Sequence, residues 1–273
     1  MTPSMDYALL FFKTIWFRPY VFLFLAAFLC VAVRLIGWPR TWRFWLISWI
    51  TAFLCEFSST RTGIPFGWYF YNGSTVGQEL YLSNIPFMDS ISFSFLLFAS
   101  YCLALLFLLP IQPMPPGIPA RLPDLRFDLP FRTSFSVLVL TVLFFAFIDM
   151  VIDPVALRGD RWFLGKIYFY PDPGVHFGVP MANYAGWAVV GAISLLLYFP
   201  LDRRLSAPLP VTHPITHRLL LGAGLYYGVL AFNLGVTFWI GELLQGTTGL
   251  LMYVPVTTLL LLRLLAPHPP SSS

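Results

Sequence analysis

The chain has 273 residues, of which 58% are hydrophobic and only 10% charged, with a formal charge of +4 and a mean hydropathy of +0.76. This composition excludes a soluble globular domain and fits a multi-pass membrane protein built as one helical bundle. Continuous apolar runs argue against a β-barrel of short alternating segments, and the sixteen scattered Lys and Arg give no footprint for nucleic acid.

In chain order, residues 5–17 read as an interfacial helix, aromatic and apolar, with Lys13 and Arg18 placed to reach lipid headgroups. Basic residues ahead of the run from Tyr20 imitate a signal peptide. No small-x-small cleavage site follows and further spans do, so an uncut first helix is expected. The hydrocarbon core needs about 20 apolar residues per helix. Seven stretches approach this: 19–36, 41–59, 90–109 (stopped by Pro110), 133–152, 183–200 (stopped by Pro200), 218–240 and 247–265. A Pro-rich connector over 110–130 reads as extended, exposed linker, and 267–273 as a disordered tail beyond a single domain of residues 1–266. The expected fold class is therefore all-α, a polytopic membrane bundle of about seven transmembrane helices with an N-terminal interfacial helix.

Seven spans place the termini on opposite sides. The side holding the N-terminus has six Lys and Arg and the other has ten, so the positive-inside bias puts the N-terminus outside. The expected location is the inner (plasma) membrane. Acids segregate more sharply. All but Asp124, Asp128 and Asp202 belong to the N-terminal side, and Glu56, Asp149 and Glu242 stand in or beside the last turns of three spans, at one depth.

Two junctions on that side share a plan. Glu56 closes one span, an aromatic loop with Trp68, Tyr69, Phe70, Tyr71 and the turn Asn72-Gly73 follows, and Ile85-Pro86 precedes Asp89. Asp149 and Asp153-Pro154 close another, a loop with Tyr168, Phe169 and Tyr170 follows, and Gly178-Val179-Pro180 precedes Asn183. The Asn-Gly turn is a hairpin signal, and both loops are expected to fold back as aromatic caps, because irregular backbone near a membrane must be buried or face a wet cavity. Residue identity between the junctions is too thin to assert a duplication.

An ionisable group inside a span is a functional candidate. Glu56, Asp149 and Asp153 lead for that reason, since desolvation disfavours the anion and a carboxyl that keeps its proton can act as a general acid. The structural alternative is pairing with Arg61 or Arg158, and for Asp153 a simple Asp-Pro helix exit. Asn183 reads either as a water-orienting group or as a helix N-cap. The loop aromatics read either as the wall of an apolar site, able to stabilise a cation, or as an interfacial belt. His176 lacks metal-ligand spacing. Cys30, Cys55 and Cys102 form no Cys-x-x-Cys pair and read as small hydrophobes. Gly224, Gly228 and Gly235 suggest a helix-packing face.

Glu56 with Gly63, Gly67, Tyr69 and Tyr71, then Ile85-Pro86, Asp153-Pro154, Gly178-Val179-Pro180, Asn183 and Gly186-Trp187 carry a resemblance over roughly residues 40–200. The chain resembles the membrane-integral carotenoid biosynthesis proteins that include γ-carotene and bisanhydrobacterioruberin 1′,2′-hydratases. The resemblance implies cofactor-independent addition of water across the terminal C1=C2 bond of an acyclic ψ-end, by protonation at C2 and capture of the C1 cation. It assigns the acid to Asp149 or Glu56, water handling to Asp153 and Asn183, and cation stabilisation to Trp68, Tyr69 and Tyr71, with Tyr168 and Trp187 also lining the substrate. The implied partners are an acyclic or monocyclic carotenoid, water, the lipid bilayer and other carotenoid biosynthesis enzymes. The competing readings are an end-group cyclase that begins with the same protonation, and a non-catalytic carotenoid or lipid carrier.

Overall fold

The computed structural model describes residues 6–112, 122–210 and 215–266. The tail 267–273 and residues 113–121 of the connector lie outside them. The helices are α1 (Tyr7–Phe17), α2 (Pro19–Ile36), α3 (Trp38–Thr62), α4 (Phe87–Leu108), a short α5 (Leu129–Arg132), α6 (Phe135–Ala156), α7 (Met181–Arg204), α8 (Ile215–Trp239) and α9 (Leu243–Leu265). Two-residue strands β1 (Phe70–Tyr71), β2 (Tyr81–Leu82), β3 (Ile85–Pro86) and β4 (Tyr168–Phe169) lie in the connections. The molecule is an all-α polytopic bundle.

Among the described residues, six helices are long and apolar enough to cross a membrane: α2, α4, α6, α7, α8 and α9. The seventh expected span, α3, has 25 residues but carries Arg40, Arg43, Glu56 and Arg61. It packs against α4 and α7. Central to the bundle is α4, mostly apolar, buried around nearly its whole circumference and in contact with α2, α3, α6 and α8. That is the position an all-round apolar helix takes. Its Ser94 and Ser100 hydroxyls donate to carbonyls one turn back, at 2.6 and 2.8 Å, so they cross the core without orphaned hydrogens. By contrast α2 and α9 have the smallest buried shares of the six and form the lipid-facing rim.

Prolines mark the helix ends less closely than expected. Both Pro154 and Pro200 stand inside their helices, and α6 and α7 run on to Ala156 and Arg204. A proline removes the hydrogen bond to the carbonyl four residues back. For Pro154 that carbonyl is Met150 O, and His176 Nε2 lies 3.0 Å from it. The loop histidine replaces the missing bond, so the helix continues and Asp153 is a helical residue rather than an exit. The glycine face also differs. A Cβ at Gly224, Gly228 or Gly235 would meet nothing within 4 Å, whereas one at Gly222 would come 2.3 Å from Cys102 Sγ. Close packing is thus at Gly222. Of the cysteines, Cys102 is buried, Cys55 half-buried and Cys30 exposed.

At the end away from the aromatic loops, Asp202 accepts from Arg40 Nε at 2.7 Å and from Arg132 Nη1 and Nη2 at 2.5 and 3.0 Å. All three side chains are at most 4% exposed. The later connector is packed, not exposed linker: Leu125 and Phe127 are buried. Removing one partner of a buried ionic group leaves uncompensated charge, at a cost of about 3–5 kcal/mol. Asp202→Ala is expected to lower the thermal unfolding temperature of the detergent-extracted protein clearly, while Asp128→Ala, in a half-exposed pair with Arg126, leaves it nearly unchanged.

Candidate active site

At the other end the two loops do not form separate aromatic hairpins. They pair with each other. Strands β1 and β4 run antiparallel with Phe70 opposite Phe169 and Tyr71 opposite Tyr168. The hairpin in the first loop is β2–β3 instead, and Asn72 donates its backbone N–H across to Ile167 O at 2.9 Å. Side chains alternate along a strand. In Tyr69-Phe70-Tyr71 and Tyr168-Phe169-Tyr170 the phenylalanines accordingly point outward and the tyrosines inward. Phe70 and Phe169 are 36% and 41% exposed, Tyr69 and Tyr168 only 6% and 7%. The cap presents a phenolic ceiling to the helix ends below.

Glu56 from α3 and Asp149 and Asp153 from α6 stand under this ceiling, 2%, 0% and 9% exposed. Four residues apart, the two aspartates share one face of α6. Asp153 accepts from the Tyr168 hydroxyl, from the Tyr170 hydroxyl at 2.5 Å, and from Asn183 Nδ2 at 3.0 Å. Asn183 Nδ2 also donates to Asp149 Oδ2 at 2.6 Å. The helix N-cap is Pro180, so Asn183 links the aspartates rather than capping α7. Across the cavity the Tyr71 hydroxyl lies 2.9 Å from Glu56 Oε1 and 2.6 Å from Asp89 Oδ2. Neither Arg61 nor Arg158 is hydrogen-bonded to these acids. Arg61 turns to Phe57 O and Ser83, and Arg158 to Pro154 O, Phe177 O and Glu242.

Burial first, then the adjacent carboxylates, push the phenols of Tyr69, Tyr71, Tyr168 and Tyr170 well above their ordinary range. They keep their hydrogens and serve as donors.

These groups enclose a cleft with about 930 Å³ of space between its walls, partly open to the outside. One end is acidic and phenolic. The rest is apolar, walled by Tyr20 and Phe24 of α2, Phe93 and Phe95 of α4, Trp187 of α7 and Phe232 of α8. Trp187 stacks on Phe93 with centroids 4.2 Å apart. Two acid oxygens on residues that line the cleft, Glu56 Oε2 and Asp149 Oδ1, are buried without a hydrogen-bond partner.

Of the residues expected here, Glu56, Asp149, Asp153, Asn183, Tyr69, Tyr71, Tyr168 and Trp187 line one cleft. Trp68 does not: it is 48% exposed and stacks on Phe70 outside the cap. Glu242 stands at the start of α9 and pairs with Arg158 and Arg161, away from the cleft. Asp89, which the sequence offers only as the acid after Ile85-Pro86, also lines the cleft. The signal for it is present, since Pro86 and Asp89 repeat the spacing of Pro180 and Asn183, and each proline caps a helix whose third residue enters the site.

A family model described as "Carotenoid biosynthesis protein" matches residues 17–255. The "Bisanhydrobacterioruberin hydratase" of Haloarcula japonica is 32% identical over 149 residues, which are 54% of this chain and 41% of that protein. The match thus covers less than half the length of this relative. No solved structure matches the chain.

Proposed function

The chain belongs to the carotenoid biosynthesis protein family, and from that premise we propose that it adds water across the terminal C1=C2 bond of an acyclic carotenoid ψ-end to give a tertiary alcohol. The observation that carries this reading is the cleft itself: an apolar chamber with acid groups at one end only, two of whose buried oxygens lack partners. Hydration of an unactivated alkene needs a proton placed on one carbon and water on the next. Buried carboxyl groups supply the acid, and Glu56 and Asp149 are the candidates. Asp153 and Asn183 orient the water. The faces of Tyr69, Tyr71 and Trp187 stabilise the cation at C1. Addition of water is redox-neutral, so no redox cofactor is required. The carotenoid, too apolar to leave the bilayer, enters laterally between helices, and the plasma membrane is the proposed site of action, beside the enzymes that make and use the pigment.

A cyclase would begin with the same proton but close a ring, and a carrier would return the pigment unchanged. Expression in a lycopene-accumulating host separates the three. We expect a pigment heavier by one water, with its terminal double bond lost. A cyclic isomer would favour the cyclase, and bound but unaltered lycopene would remove the enzymatic reading.

A further inference from the structure

The two halves of the site follow one plan but differ in their hydrogen count. Each half has a helix that carries acid beneath the cap, a Tyr-Phe-Tyr segment, and a proline followed three residues later by Asp89 or Asn183. In the half from α6 and α7, Asp153 accepts from two phenols, and the two hydrogens of Asn183 Nδ2 serve Asp149 and Asp153. Every one of those contacts is satisfied with both carboxyls ionised. In the half from α3 and α4, a single phenol stands between two carboxyl groups, 2.9 Å from Glu56 Oε1 and 2.6 Å from Asp89 Oδ2. A phenol has one hydrogen to donate. Both contacts are hydrogen bonds only if Glu56 or Asp89 carries a proton of its own. The half with Asp89 in place of an amide therefore stores one proton that the other half does not need.

Each half also has one buried acid oxygen without a hydrogen-bond partner on a residue that lines the cleft, Glu56 Oε2 and Asp149 Oδ1. On the hydration reading above, we propose that the halves divide the reaction: Glu56 delivers the proton to C2, Asp89 acts as a positioning residue through Tyr71, and Asp149 receives the proton of the attacking water. In the loaded state Tyr71 donates to Asp89, the nearer of its two neighbours, and leaves Glu56 neutral. The π pair of C1=C2 forms the new C2–H bond, the O–H pair stays on Glu56, and Tyr71 shifts its donation to the new carboxylate. A lone pair of water forms the C1–O bond, and its proton passes to Asp149. Return of that proton to Glu56 through the cleft closes the cycle with one water added.

The test is carried out on membranes containing the full chain and lycopene, equilibrated in D2O, reading deuterium in the alcohol and in recovered lycopene. Wild type places deuterium at C2 of the alcohol. Asp149→Asn is expected to lose the alcohol by about 10²-fold or more yet still wash deuterium into recovered lycopene, because the cation forms, turns about C2–C3, and gives its original C2 hydrogen rather than the deuteron to Glu56. Glu56→Gln loses both signals. Asp89→Asn lowers both by about tenfold or more, since its amide donates to Tyr71 oxygen and fixes the phenol on Glu56 as a permanent donor. Tyr71→Phe, tested alongside, lowers both as well, and each variant is checked for wild-type thermal unfolding in detergent. Wild-type deuterium levels in folded Asp89→Asn and Tyr71→Phe would overturn the proposal, as would wash-in retained by Glu56→Gln and lost by Asp149→Asn. Failure of wild type to make any alcohol would instead remove the hydration reading itself.

Discussion

Glu56→Gln and Asp149→Asn are each expected to reduce hydrated carotenoid by about 10²- to 10⁴-fold, the usual contribution of a positioned general acid or base. Both replacements are close to isosteric. A glutamine carbonyl at position 56 can still accept from Tyr71, and an asparagine carbonyl at 149 can still accept from Asn183 Nδ2, so the bonds that hold the side chains survive. What disappears is exchangeable acidity. An amide N–H does not protonate an alkene, and a neutral amide does not take a proton from water. The measurement is pigment yield per amount of folded protein in a lycopene-accumulating host. Wild-type yield from both variants would show that the acid function lies elsewhere in the cleft, with Asp153 the next carboxyl to replace. Asp153→Asn is a poorer first experiment. Its carboxylate accepts three hydrogen bonds, and an amide there would set its own hydrogens against those of Tyr168, Tyr170 or Asn183, so lost packing and lost chemistry would arrive together.

The spans were legible because their determinants are local. Residues 19–36 hold one basic residue in an otherwise apolar run and form α2 with those same ends. Where the reading misplaced an end, a distant residue was responsible. Pro154 looks like a terminator until His176, in another segment, reaches the carbonyl it leaves bare. Arg18 looks like a headgroup anchor until Glu79 and Leu164 O close around it. The acids of the site were visible as acids misplaced in apolar sequence, and Asn183 through its place at a helix mouth. Trp68 stands outside the cleft because a two-residue alternation decides which aromatics face the cavity, and the strand pairing that fixes this alternation lies 99 residues away, between Phe70 and Phe169. Asp89 was overlooked because its importance depends on Tyr71 reaching it and Glu56 together.

Arg18→Ala should be the most damaging change outside the cleft, lowering both stability and yield. The Arg18 and Glu79 side chains are fully buried. Nε and Nη2 of Arg18 grip the two Glu79 oxygens at 3.1 and 2.8 Å, while Nη1 donates to Leu164 O at 2.6 Å. Glu79 belongs to the loop after α3 and Leu164 to the loop after α6, so one guanidinium at the start of α2 fastens both halves of the aromatic cap. Nearby, Leu80 N donates to Thr14 Oγ1 at 2.7 Å and docks α1 on the same loop. Losing the arginine leaves Glu79 charged and buried, a cost of about 3–5 kcal/mol, and frees the strands that aim Tyr71 and Tyr168 at the acids. The two effects separate in a double replacement. A well-packed apolar pair can stand in for a buried ion pair at little cost, so Arg18→Met with Glu79→Leu should recover most of the unfolding temperature lost by Arg18→Ala. If the cap is then docked, yield returns with it. Recovered stability without recovered yield would mean that the hydrogen bond to Leu164 O, not charge balance, sets the register of the two tyrosine strands over the cleft.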